Sequence, residues 1–222
     1  MPVDGILRVP YNIPGSQNWQ WVNIFTRLSQ ERIIFLNQPL TDGLANSIVS
    51  AMLYLESEDN TKPIRLYINS LGDPVEAGMA SITAGSVSIT SAMAIYDTMQ
   101  HIKSSVMTIC LGQAVGMAAM LLAAGAKGNR VSLPHSTIVL DHPRIGGQGQ
   151  ATDLQITAKE VLAKRALMLE ILSEKTGQPI EKIAKDTNRT LYLTPQQAKE
   201  YGLIDRVLES SKQLTDPVAA LT

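Results

Sequence analysis

The apolar positions cluster most densely between Val106 and Gly125, in the uncharged stretch VMTICLGQAVGMAAMLLAAG. Its first part, Val106–Leu111, reads as a buried strand. Gly112-Gln113 reads as a tight turn, and the small-residue run from about Ala114 to Ala124 as a helix. Other strands are expected at Arg32–Leu36, which Pro39 ends, and at Ile64–Asn69, Arg130–Leu133, Thr137–Asp141 and Leu203–Leu208. Helical periodicity marks Gln17–Leu28, with Trp19, Trp21, Ile24 and Phe25 as its apolar contacts. It also marks Asp42–Glu56, where Thr41 is the N-cap and Leu44, Ile48, Met52 and Leu53 form the stripe. A further helical region ends near Lys103. The longest helix is expected over Thr152–Lys175, spanning about 36 Å and ended by Gly177. That length predicts a helix projecting beyond its domain, with its apolar positions offered to a partner or to the chain's own sheet. Two short helices follow, Ile180–Asp186 and Pro195–Tyr201. The second is bounded by Thr194 as N-cap, Pro195 at its first position and Gly202 as C-cap. Met1–Gly15 and Gly146–Gln150 read as irregular, the latter as a hinge. Strands alternating with helices, with no clear linker, predict one α/β domain of repeated βαβ crossovers.

Composition narrows the function classes. The 19 basic and 20 acidic residues nearly cancel, which gives no electrostatic case for nucleic acid or an anionic membrane. The single cysteine, Cys110, falls in the apolar strand, so it reads as a core residue of a protein in a reducing compartment. The N-terminus lacks the charged and apolar regions of a secretory signal and the Arg/Ser-rich character of a transit peptide. Ser104–Ala126 is long enough to span a membrane, but Gln113, its glycines and its strand-like first half favour a buried βα unit. No zinc-like Cys/His set, phosphate loop or heptad array is present, so no metal or cofactor is expected.

A strand that enters a helix through a Gly-bounded turn is the frame on which hydrolases expose a nucleophile. Here the exposed position is the last residue of Gly112-Gln-Ala-Val-Gly116, and glycine has no side chain to attack with. The three histidines are His101, His135 and His142. Ser104, Ser105, Ser132 and Ser136 lie in strand flanks or turns, away from that elbow.

The blocks LYINS (66–70), AIYDTMQ (94–100), TICLGQA (108–114), LLAAGAKGNR (121–130), GGQGQATD (146–153) and YGLIDRV (201–207) are similar to the proteolytic subunit family of the ATP-dependent Clp protease. The resemblance runs from about Ile24 to Leu208. It implies an α/β, crotonase-like stack of βαβ units, preceded by an N-terminal axial segment over residues 1–23 and followed to residue 222. A handle helix at about 146–176 would stack two heptameric rings into a closed chamber. Active members cut unfolded polypeptide with a Ser-His-Asp triad. Matched to this chain, the Ser falls on Gly116, the His on Asp141 and the Asp on Thr190. The oxyanion loop reads Leu71-Gly72-Asp73. A carboxylate at Asp73 would oppose developing negative charge unless it points away. His142 adjoins the lost histidine position, but strand alternation would turn it away from Gly116.

These departures resemble the catalytically degenerate R-type subunits of cyanobacteria and plastids, which form mixed rings with active relatives. The implication is that the chain is not itself an enzyme. It would be a structural or regulatory subunit in the cytoplasm or a plastid stroma, and partner an AAA+ unfoldase, which supplies the ATP requirement. Unfoldase docking would fall on Arg65, Tyr67, His101, Val131 and Leu133, and the contact between rings on Asn188 and Arg189. The family runs almost directly from its oxyanion loop into the helix, whereas this chain carries extra sequence within 76–94, expected near the dead site. Two other readings share the fold: a cryptic peptidase using Thr190 or a hydroxyl of the extra segment, and a crotonase-like acyl-CoA enzyme.

Overall fold

The computed structural model describes residues 7–12, 19–72, 84–142 and 150–209. In chain order the elements are β1 (Arg8–Asn12), β2 (Trp19–Asn23), α1 (Ile24–Gln30), β3 (Ile33–Leu36), α2 (Asp42–Glu58), β4 (Ile64–Ser70), α3 (Ala84–His101), β5 (Val106–Val115), α4 (Met117–Ala123), β6 (Arg130–Ser132), β7 (Thr137–Leu140), α5 (Ala151–Thr176), α6 (Ile180–Asp186), β8 (Leu191–Leu193), α7 (Pro195–Tyr201) and β9 (Arg206–Val207). The main sheet runs β3-β4-β5-β6-β9, all parallel. Parallel neighbours cannot be joined by a tight hairpin, so α2, α3 and α4 serve as crossovers between successive strands. β7 pairs with the far half of β5, and β8 adds antiparallel to β7. This is the α/β stack of βαβ units that the sequence predicts.

β4 alternates, with Ile64, Leu66, Ile68 and Ser70 buried and Arg65 and Tyr67 half-buried on the other face. β5 is buried on both faces over Val106–Cys110, which is why its sequence is continuously apolar rather than alternating. All seven residues of α4 are buried, so this short helix is apolar all round. The inward positions of α2 (Ala45, Ile48, Met52, Leu55) and of α3 (Ile89, Ala92, Ile95, Met99) follow helical spacing and meet α4 in the main core. Each such Leu, Ile or Met contributes about 1.5–3 kcal/mol when fully buried.

Arg130 ties the far ends of several helices together. Its guanidinium donates to the carbonyls of Ala123, Lys175 and Gly202, at the C-termini of α4, α5 and α7. Asp205 holds it in a bidentate pair, with Nη2 2.6 Å from Oδ1 and Nε 3.0 Å from Oδ2. Burial alone would raise the Asp205 carboxyl pKa, but hydrogen bonds from Arg130 and Gly128 outweigh it and hold the pKa below the usual carboxylate range.

Several sequence expectations are corrected. The helix expected over Gln17–Leu28 is divided, because Trp19–Asn23 pairs antiparallel with Arg8–Asn12, a segment read as irregular. The helix begins only at Ile24, where the Asn23 side chain accepts from Phe25 N at 2.8 Å. Gly112-Gln113 is not the turn into the helix. It is a register shift within β5, and Gln113–Val115 continue the strand because Thr137–Val139 of β7 pair with them. Leu53 is exposed and Leu55 takes its place inside. β8 had no counterpart among the expected strands. Ser104–Ala126 is shared between β5 and α4, and among the described residues no helix is long and apolar enough to cross a membrane. Gly146–Gly149 and the 76–83 part of the segment expected to carry extra sequence lie outside the described residues.

Candidate functional site

The chain reverses at Gly116, between β5 and α4. Its φ of 56° and ψ of −115° lie outside the regions open to L side chains. The Gly116 N–H donates to Val139 O at 2.9 Å, which pins the turn to β7. A Cβ built at Gly116 would meet nothing within 4 Å. The strand–turn–helix elbow is therefore present, with open space in front of it and no side-chain atom to use that space. Gly72 lies against the same turn. Its φ is 74°, and a Cβ there would come 2.3 Å from Val115 O. Only glycine lets the loop after β4 approach this closely. Ser70 secures the loop, its hydroxyl donating to Gln38 O at 2.6 Å and accepting from Gly72 N at 3.0 Å. Asp73 lies outside the described residues.

The two positions matched to the triad's His and Asp, Asp141 and Thr190, meet each other. Thr190 Oγ1 donates to Asp141 Oδ2 at 3.2 Å, bridging the end of β7 and the start of β8. The second oxygen, Oδ1, accepts from the His142 backbone N–H at 2.9 Å and lies 3.2 Å from His142 Nδ1. His142 Nδ1 is also 3.1 Å from the Thr187 carbonyl at the C-cap of α6. A carbonyl only accepts, so this contact places the proton on Nδ1. The strand-alternation argument for His142 does not apply, because β7 ends at Leu140. A triad chains hydroxyl to imidazole to carboxylate. Here the Thr190 hydroxyl meets the Asp141 carboxylate directly, and the other carboxylate oxygen lies beside the His142 ring.

Of the expected docking residues, Tyr67, Val131 and Leu133 share one apolar cluster on the second face of the sheet, with Met107, Ile109, Leu111 and Leu208. Arg65 belongs to the same face by alternation. His101 is exposed in the last turn of α3 and is not part of this cluster. Sequence reasoning missed the aromatic extension of that face. Phe35 stacks on Tyr67 at 5.5 Å between ring centroids, and Phe25 meets Phe35 edge-on at 5.4 Å. The parallel register of Phe35 with Tyr67 is the signal that would have found it. Asn188, expected at the contact between rings, accepts from Arg165 Nη2 of α5 at 2.9 Å. Arg189 follows it in the turn before β8.

A cleft of about 520 Å³ opens at the opposite end of β5, lined by Lys103, Val106, Lys127, Arg130, Lys175 and Gly202. A ten-residue strand separates it from Gly116 by about 30 Å, so it is not part of this site. Its basic side chains gather where helix C-termini converge, which is where cations are favoured. Among the described residues no His, Cys, Asp and Glu group is arranged to hold a metal ion.

The Clp protease family model matches residues 15–84 and 81–211, two stretches that overlap inside the segment expected to carry extra sequence. The chain is 50% identical over 209 residues to "ATP-dependent Clp protease proteolytic subunit 1" of Gloeobacter violaceus, covering 94% of this chain and 98% of that protein. It is 51% identical over 210 residues to "proteolytic subunit 2" of Prochlorococcus marinus subsp. pastoris, covering 94% of this chain and 96% of the relative. It is likewise 51% identical to "proteolytic subunit 3" of a Synechococcus species, covering 94% and 97%. These relatives are named as subunits of a protease, and that overturns the expectation that the chain is not an enzyme: it stands among peptidases. By extent and identity together, the chain belongs to the Clp protease family, as a proteolytic-subunit relative.

Proposed function

We propose that the chain works inside an ATP-dependent peptidase as the R-type member of a mixed ring. In this reading it completes a heptameric ring with relatives that keep the serine, and two such rings stack through the handle at about 146–176. An AAA+ unfoldase feeds unfolded polypeptide into the chamber. The chain shapes the chamber wall and the docking face and sets how many cutting sites each particle holds. Residues 1–23 form the axial segment, and the particle resides in the cytoplasm or a plastid stroma. The observation that carries the reading is glycine at an intact elbow. The strand, the turn, the Gly72 approach and the buried helix are all kept, while position 116 has no nucleophilic atom. The Asp141–Thr190 contact adds support, since it joins a carboxylate and a hydroxyl at the positions matched to the family's base and its orienter.

The test is native mass spectrometry of the chain alone and co-expressed with a serine-bearing relative, with casein cleavage and serine-reactive labelling on each sample. The expected result is a mixed ring in which only the relative labels. A lone oligomer of this chain that labels or cleaves casein by itself would overturn the proposal.

A further inference from the structure

The second face of the main sheet is apolar in its middle and cationic at its margins. Residues paired in register share a face. One row therefore runs Phe35, Tyr67, Ile109, Val131, Arg206 across β3, β4, β5, β6 and β9. Ile109 and Val131 are fully buried, whereas Phe35, Tyr67 and Arg206 are half-buried. The side of the sheet to which Arg206 belongs is fixed by its neighbours. Leu208, two residues on, is in the same apolar cluster as Val131, and Val207 between them packs on the main core. Arg65, half-buried, precedes Tyr67 by two residues and shares its face. Three strand spacings across and two residues along place the two arginine Cα atoms about 16 Å apart.

Neither arginine has a hydrogen bond or ion pair among the described residues. Arg206 Nε is buried without a partner, which leaves the terminal nitrogens as its free donors. The arginines that brace the fold behave otherwise. Arg32 donates to the carbonyls of Leu55, Lys62 and Pro63, and Arg130 is held by Asp205. A buried donor without an acceptor destabilises the free chain. There is also no carboxylate to answer these charges from the sheet itself: β3, β4, β5, β6 and β9 contain no aspartate or glutamate.

We propose that this face selects a partner segment with an apolar centre and a carboxylate on each side, about five residues apart to match the span between Arg65 and Arg206. The apolar centre covers Tyr67, Leu111 and Leu133. Each guanidinium takes one carboxylate, a pairing its planar fork favours. The apolar contact supplies area, and the arginines reject segments with basic flanks. The inference rests on the reading that an unfoldase docks on this chain, and it adds what that unfoldase must present.

The test is fluorescence anisotropy of the full chain with two labelled synthetic peptides. They share a leucine-and-phenylalanine centre and carry either glutamate or glutamine on both sides. The glutamate peptide is expected to bind about tenfold more tightly at low salt, the advantage shrinking at high salt. Arg206→Met and Arg65→Met should each remove most of that advantage, and Arg206→Lys should keep it. The Tm of Arg206→Met should equal or exceed that of wild type, because the unpaired buried donor is gone. Equal binding of the two peptides, or binding of neither, would overturn the proposal. So would an advantage that survives both Met substitutions, or a lower Tm in Arg206→Met, which would make the arginine a brace of the fold. The assay needs no ring. A charge preference in a chain that never enters a mixed ring would leave this inference standing and sink the ring reading instead.

Discussion

Gly116 puts a residue with no side-chain atom at the turn between β5 and α4. Its backbone angles demand either glycine or a strained side chain, and strain of this kind costs about 1–3 kcal/mol. Gly116→Ser is therefore expected to fold, since nothing obstructs the new Cβ. Its Tm should fall by about 2–4 °C per kcal/mol of strain for a chain of this size. A fluorophosphonate probe should leave Gly116→Ser unlabelled and should label the chain once Asp141→His and Thr190→Asp are added. Labelling of Gly116→Ser alone would show that Asp141 or His142 already acts as a base. At this scale the resemblance placed Asp141 and Thr190 at linked positions, and the two side chains are in contact. The alternation argument for His142 has no purchase, since alternation holds only within a strand and β7 stops two residues earlier.

Among the elements, those with their own end signals were legible. α6 and α7 occupy the predicted residues, and α7 is closed by the Thr194–Gln197 capping box and by Gly202 at φ 97°. Elements defined by distant partners were not legible: β1 pairs with β2 across a gap in sequence, and the far half of β5 is a strand only because β7 lies beside it. The Arg130–Asp205 pair is a long-range tie of the same kind. Asp205→Asn should lower stability by about 3 kcal/mol, the cost of leaving a buried charge without its partner. Because the folded pKa of Asp205 lies below its unfolded value, the pair's contribution is present above the ordinary carboxylate range and lost as pH falls through the folded pKa. Acid melts should thus show wild type losing its advantage over Asp205→Asn below about pH 4. Cys110 gives a kinetic counterpart. Burial pushes its thiol up to about 11, so DTNB at pH 8 should leave it unmodified in the native chain and titrate it only after denaturation.

Taken whole, the molecule divides its labour between two sheet faces and one projecting helix. One face is packed under α2, α3 and α4, while the other is left half-covered around Tyr67, Leu111 and Leu133. If the chain joins a mixed ring and an unfoldase docks there, Tyr67→Ala should reduce unfoldase-stimulated casein cleavage severalfold while cleavage of short peptides is kept. Equal loss of both activities would place the defect in the ring itself. The overall architecture was legible because βα alternation and one uncharged stretch dictate it. The aromatic continuation through Phe35 and Phe25 was not, since it depends on strand register.

The two tryptophans of the chain, Trp19 and Trp21, both lie on β2 and are 67% and 70% exposed. Intrinsic fluorescence of this protein therefore observes the N-terminal hairpin and is blind to the core. Excited at the indole band, the free chain should emit as solvated indole does, with strong quenching by iodide. Its emission should barely change when the core melts. A blue shift on mixing with ring relatives or an unfoldase would then report, without any added dye, the moment at which the hairpin is covered.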